Sequence, residues 1–361
     1  MTDIQTVVNL EEFAALARER LPRMVYDYYA GGAGDEVLLR GAAGAWDALS
    51  IRYRVLRDVS KRSLDATVLG QPLAFPLLVA PMAFQGLAHP EGELAVARAA
   101  SGAGVGMILS TLASRSIEEV RPQTTGPLWF QLYIYKDRGA SRALVERAER
   151  AGCSALVLTV DSPLLGRRER DVRNGFHVPA ETPVPNLSGG ARDALATAPT
   201  SASSLATFVD EHWDASISWR DLAWLKSITR LPILVKGIVR GDDAALALEH
   251  GAAGVIVSNH GGRQLDTAQS TARALPEVAA ALDGRAALLV DGGIRRGTDV
   301  VKALALGAHA VLLGRPVLWG LAVDGEQGVR RVLELLRSEF DLALALSGCR
   351  TPAELSRDFI A

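Results

Sequence analysis

The 361 residues are 48% hydrophobic and 22% charged, an ordinary soluble globular balance that excludes disordered and collagen-like classes. A formal net charge of -2 without a cluster of Lys or Arg argues against a nucleic-acid partner, and no apolar run reaches the ~20 residues that cross a bilayer. Two cysteines, Cys153 and Cys349, form neither a disulfide framework nor a metal-ligand spacing, so no metal is expected and a reducing cytoplasm is the simplest setting.

In chain order, the opening Met-Thr-Asp-Ile-Gln lacks a basic-then-apolar signal pattern. Residues 10–21 and 25–30 read as helices, the second carrying Tyr26, Tyr28 and Tyr29. Eight short apolar runs follow, at 77–81, 105–110, 128–132, 155–160, 232–236, 254–258, 287–291 and 310–314. Most are unbroken rather than alternating, as expected of strands buried on both faces of a parallel sheet. Helical patterns lie between them, at 91–104, 140–152, 242–251 and 297–307, and residues 328–345 suit a closing helix. Eight strand–helix units predict an α/β fold, a (β/α)8 TIM barrel in one domain over 1–361. The rival is a doubly wound open sheet. It is disfavoured because the first strand ends in Ala80-Pro81-Met82-Ala83, with no Gly-rich turn.

One spacing is anomalous. About seventy residues separate the fourth and fifth runs, and the insert, approximately 177–215, holds Pro-rich, Ser188-Gly189-Gly190 and Ser/Ala/Thr-rich stretches. Following a strand, it is expected to lie over the catalytic face as a lid.

Chemistry in such a barrel sits at the C-terminal strand ends. Those ends carry Met82 and Ala83, then Ser110 and Leu112, then Gln131 and Tyr133. The fourth delivers Thr159, Asp161, Arg167 and Arg168, the fifth Lys236, and the sixth Ser258, His260 and Arg263. Asp291, Gly293, Arg295 and Arg296 follow the seventh, and Gly314 and Arg315 the eighth. A histidine that titrates near neutrality beside an arginine that grips carboxylates points to oxidation or proton abstraction on a small organic acid. The glycines and arginines of the last two ends suit a phosphate.

Three motifs carry a family resemblance: Ser258-Asn-His-Gly-Gly-Arg-Gln-Leu-Asp266, Thr159-Val-Asp-Ser-Pro with Gly166-Arg-Arg, and Asp291-Gly-Gly-Ile-Arg-Arg-Gly297. The chain resembles the FMN-dependent α-hydroxy-acid oxidases, over nearly its whole length. The resemblance implies FMN as cofactor and oxidation of an L-2-hydroxy acid to the 2-oxo acid. It implies His260 as base, Asp161 as the carboxylate that steadies its imidazolium, and Arg168 and Arg263 as the substrate clamp, helped by Tyr28 and Tyr133. Lys236 is implied beside the flavin N1 and C2 oxygen. Ala83, Ser110, Gln131, Thr159 and Ser258 are implied as flavin-ring and ribityl contacts, and Asp291, Gly293, Arg295, Gly314 and Arg315 as the ribityl and phosphate end.

Glycolate-preferring relatives tend to carry Trp where this chain has Leu112 and Thr where it has Met82. Both departures favour L-lactate, with glycolate weaker and mandelate as a bulkier alternative. Ala83 stands where several dehydrogenases of the family have Gly, and a methyl there is associated with faster reaction with O2, so an oxidase releasing H2O2 is expected. No haem-binding segment precedes the barrel and the insert is not membrane-like, which argues against a flavocytochrome or a membrane-bound dehydrogenase. The rivals are a non-redox FMN barrel, a nucleotide-oxidising barrel that needs a catalytic loop Cys, and a flavin-binding scaffold without turnover. A homotetramer or octamer is expected from the resemblance alone.

Overall fold

The structure is a computed structural model that describes residues 4–187, 195–196 and 203–361. Ten strands occur among these residues. A two-stranded antiparallel hairpin, β1 (Ala66–Val68) and β2 (Gln71–Leu73), precedes the barrel. Strands β3 (Leu77–Val79), β4 (Gly106–Leu109), β5 (Leu128–Leu132), β6 (Ala155–Thr159), β7 (Ile233–Ile238), β8 (Gly254–Val257), β9 (Ala287–Val290) and β10 (Ala310–Leu313) close one parallel barrel, β10 pairing with both β9 and β3. The eight expected strands are all present, and closure excludes the open sheet.

The strands read as unbroken apolar runs because both of their faces are buried. Leu78, Ile108, Trp129, Val157, Leu234, Ile256, Leu289 and Leu312 form a core enclosed by the strands. Their neighbours Leu77, Val79, Leu109, Phe130, Leu156, Val235, Val257, Val290 and Leu313 pack outward into the helix layer. Val68 and Leu73 of the hairpin join the enclosed core, and Gln71 accepts hydrogen bonds from Trp129 Nε1 and Ser154 Oγ, at 3.3 and 2.8 Å. The hairpin thus plugs one end of the barrel and leaves the other for ligands.

The early helices are Leu10–Arg20 and Arg23–Ala30, close to expectation. A third, Val37–Asp47, was not legible from the pattern. The crossover helices include Glu93–Gly102, Arg138–Arg150, Gly241–Glu249, Thr271–Leu282 and Gly297–Ala305. The closing helix expected at 328–345 is present: the segment Arg315–Leu346 breaks at Asp324 and Gly325, and the part after the break runs to Leu346, while the part before it, directly after β10, was not expected. In the insert, Ser188-Gly189-Gly190 and half of the Ser/Ala/Thr-rich stretch at 194–207 lie outside the described residues. Its described part includes the helix Ser204–His212. Among the described residues, no helix is long and apolar enough to cross a membrane.

Candidate active site

Side chains alternate along a strand, so the inward register of the barrel core continues past each strand end. Above Trp129 come Gln131 and Tyr133. Above Val157 come Thr159 and Asp161, above Leu234 comes Lys236, and above Ile256 come Ser258 and His260. The core therefore gives way to a polar layer at the C-terminal end. One cleft opens there. Its wall holds Tyr28, Met82, Ala83, Ser110, Leu112, Gln131, Tyr133, Thr159, Arg168, Lys236, His260, Arg263, Asp291, Gly293, Arg295, Gly314 and Arg315. Only two expected site residues are off the wall. Asp161 stands behind His260, and Ser258 lies beneath Lys236.

His260 Nδ1 is 2.8 Å from Asp161 Oδ1. Burial pulls the imidazole below its ordinary range, and the opposing pull of Asp161 does not restore it. Burial raises the Asp161 carboxyl, but His260, Lys236 and hydrogen bonds outweigh that effect and hold it low. The pair is thus an ionised carboxylate beside a neutral imidazole, the state a base requires. His260 adopts φ of +57°, a left-handed conformation uncommon outside glycine. Gly237 makes room for the carboxylate: at φ of +113°, a Cβ there would lie 2.7 Å from Asp161 Cβ.

Arg168 is 5% exposed, and its near partners are weak. They are Arg263 O and Gln264 Oε1, both at 3.4 Å, and Asp171 Oδ2 at 3.9 Å. Burial, and then Arg263 beside it, push its guanidinium down to about 10, so it is still charged at neutral pH. Arg167, just before it, is exposed and is not on the cleft wall. Arg263 donates to the carbonyls of Tyr28 and Gly31 and lies 4.9 Å from the centre of the Tyr28 ring. A buried guanidinium, Arg168, and a half-buried one, Arg263, without a tight carboxylate partner make a site for an anion. Burial raises the Tyr28 and Tyr133 phenols, which remain hydrogen-bond donors. Tyr28 stacks on Phe176 at 4.1 Å between ring centres, and Tyr133 on Trp213 at 3.7 Å.

Lys236 donates to Ser258 Oγ at 2.8 Å and lies 3.2 Å from Asp291 Oδ2. Gln131 Oε1 accepts from Thr111 N and Ser110 Oγ, while its buried Nε2 has no protein partner, and neither has Asp291 Oδ1. Arg315, half-buried, donates to the carbonyls of Tyr29 and Gly31, and desolvation, then Arg263 and Arg295, hold it well below its ordinary range. Arg296, by contrast, pairs with Glu339 outside the cleft. The cleft thus offers an orphaned amide donor and a lysine at one part and uncompensated arginines with Gly293 and Gly314 at another. That donor set fits a flavin ring and a phosphate, the two ends of FMN.

Similarity to known proteins agrees. Residues 17–361 match the family described as FMN-dependent dehydrogenase. The chain belongs to this family. It is 52% identical to an L-lactate oxidase of Nostoc sp. over 364 residues, covering 100% of both chains. It is 50% identical to the glycolate oxidase of Spinacia oleracea over 355 residues, covering 98% of this chain and 96% of that one. A crystal structure of mandelate oxidase with (S)-4-hydroxymandelic acid superposes with a TM-score of 0.94 at 43% identity, covering 98% of each chain. The family is FMN-dependent, and this protein is an FMN-dependent oxidoreductase with the family's (β/α)8 barrel.

The cleft also contains residues that strand spacing does not reveal. Leu205 and Trp213 reach it from the insert, and Ser162, Leu165 and Gln264 from loops. Gln264 Nε2 donates to the carbonyls of Asp161 and Leu164, tying the two motif loops together. Its position inside the 258–266 motif was the one available signal for it. Trp213 is fixed at the backbone, where Lys136 N donates to His212 O and Asp214 N to Ile134 O.

Proposed function

We propose that the protein oxidises L-lactate to pyruvate and reduces O2 to H2O2. The observation that carries this reading is one cleft, in an FMN-family barrel, that joins the His260–Asp161 pair to the Arg168–Arg263 anion site. The guanidiniums hold the substrate carboxylate, with Tyr28 and Tyr133 hydroxyls as further donors. His260 takes the substrate hydroxyl proton at Nε2, and Asp161 steadies the imidazolium through Nδ1. FMN would supply the two-electron acceptor for the breaking α-C–H bond, the α-hydrogen and the hydroxyl proton leaving in the end with O2 as H2O2. Lys236 supplies a fixed cation at the ring end, with Ala83, Ser110, Gln131, Thr159 and Ser258 around it. Asp291, Gly293, Arg295, Gly314 and Arg315 hold the ribityl and phosphate end.

Leu112 and Met82 on the cleft wall support lactate over glycolate, since Leu112 is smaller than Trp and leaves room for a methyl group. One methyl in an apolar pocket is worth ~1–3 kcal/mol, or roughly 10- to 150-fold in kcat/KM. We therefore expect an oxygen-electrode assay to rank L-lactate above glycolate, and Leu112→Trp to shift the ratio towards glycolate by roughly that factor. An unchanged ratio would take Leu112 out of specificity. The 0.94 TM-score to a mandelate oxidase supports (S)-mandelate as the second substrate to assay.

The barrel works as one unit over 1–361, with Leu205 and Trp213 of the insert, 177–215, on its active-site wall. Exposed Tyr53, Val55, Leu56, Leu342 and Leu346 support self-association, and we read the assembly as a homotetramer. Light scattering should give four times the chain mass, and a monomer mass would refute this. The two free, buried thiols, Cys153 and Cys349, support a reducing, cytoplasmic setting. Cell fractionation tests it.

A further inference from the structure

The proposed reaction gives Ser162 no task, yet this residue sits on the cleft wall against the base. Its hydroxyl donates to Asp161 Oδ1 at 3.1 Å and lies 3.2 Å from His260 Nδ1. His260 Nδ1 lies 2.8 Å from the same carboxylate oxygen, so the three atoms close a triangle. Ser162 is 6% exposed, which leaves it little freedom to turn elsewhere. Asp161 Oδ2 has no partner, so Oδ1 carries both bonds.

A serine hydroxyl has one proton and two lone pairs. With that proton given to Asp161, a lone pair faces Nδ1. Only a protonated Nδ1 satisfies both of its neighbours. The free lone pair of the neutral imidazole must then be on Nε2.

We propose that Ser162 is a positioning residue that locks His260 in the Nδ1–H tautomer and moderates the pull of Asp161 on the imidazolium. This inference rests on the reading of His260 as the base. The hydrogen bond from Ser162 draws charge from Asp161 Oδ1. Without it the carboxylate holds the imidazolium more firmly, and His260 keeps its proton to higher pH. The other charged groups acting on His260 are Lys236 from β7 and Arg168 from the loop after β6, and Arg263, in its own loop, lines the same cleft. Tyr28 and Tyr133 share the cleft wall with it as neutral phenols. None of these changes when Ser162 becomes Ala.

The test compares FMN-loaded parent, Ser162→Ala and Ser162→Thr, with kcat and KM for L-lactate measured against pH. For Ser162→Ala, kcat should fall roughly 3- to 10-fold with KM within about twofold, since Ser162 does not touch the arginines. The acid limb of kcat/KM should move up by about half a pH unit to one unit, and Ser162→Thr should restore both values. A limb that stays in place or moves down overturns the inference, and so does a Thr variant that behaves like Ala. Long-range proton–nitrogen NMR spectra of 15N-histidine protein give a readout without turnover, the His260 signals being assigned by their loss in His260→Asn. They should show Nδ1–H in the parent and a raised imidazole pKa in Ser162→Ala. If the parent turned over no 2-hydroxy acid, the proposed function would fail, while these spectra would still decide the role of Ser162.

Discussion

His260→Asn is expected to slow flavin reduction by L-lactate roughly 100- to 10,000-fold while FMN stays bound, the range general-base catalysis supplies. Asn is the informative replacement because the position has φ of +57°, and Asn tolerates left-handed backbone better than most residues. The carboxylate side of the site is untouched, so substrate affinity should change little. Rapid mixing of anaerobic enzyme with lactate measures the rate, and the yellow absorbance reports retained cofactor. The parent also has a pH signature. A base works deprotonated, and burial holds the His260 pKa below its ordinary value of about 6.5. Activity should therefore persist below pH 6.5 and fall only as the imidazole takes its proton. In His260→Asn that limb should vanish. Reduction within about twofold of the parent would remove His260 from the mechanism.

Arg263→Lys is expected to lower kcat/KM roughly 30- to 5,000-fold, mostly through KM. Losing one partner of a desolvated charge pair costs about 2–5 kcal/mol. The planar guanidinium serves two tasks at once. It donates to the carbonyls of Tyr28 and Gly31, and it leaves its remaining donors for the cleft. A lysine ammonium cannot reproduce that fork. Arg168, with contacts no closer than 3.4 Å, cannot take over the geometry alone. Steady-state kinetics over a wide lactate range checks this, and an unchanged KM would count against the clamp.

Much of this site was legible because barrel strands keep a period of two. Once 128–132 and 155–160 are strands, Gln131, Tyr133, Thr159 and Asp161 must share the inward face of the core residues Trp129 and Val157. The same step puts His260 over Ile256. What escaped lies where that period ends. Ser162 has the wrong parity for β6, and only the turn after Asp161 brings it beside His260. Trp213 and Leu205 come from the insert, whose path no periodicity fixes. The helix Val37–Asp47 escaped for another reason. Two glycines weaken its intrinsic propensity, and its first turn is capped by Asp266, whose carboxylate accepts from Val37 N and Leu38 N across 229 and 228 positions. No local pattern announces a cap from so far along the chain. The last residue of the histidine motif therefore braces the fold, while His260 and Arg263 face the cleft.

The central claim is a flavin site joined to a base and a carboxylate clamp that acts on L-lactate. The most direct test is the visible spectrum of the FMN-loaded protein, held anaerobic, before and after adding L-lactate. Loss of the flavin absorbance, its return on admitting air, and one H2O2 per pyruvate are the expected result. A yellow protein that keeps its full absorbance with L-lactate, glycolate and (S)-mandelate alike would contradict it.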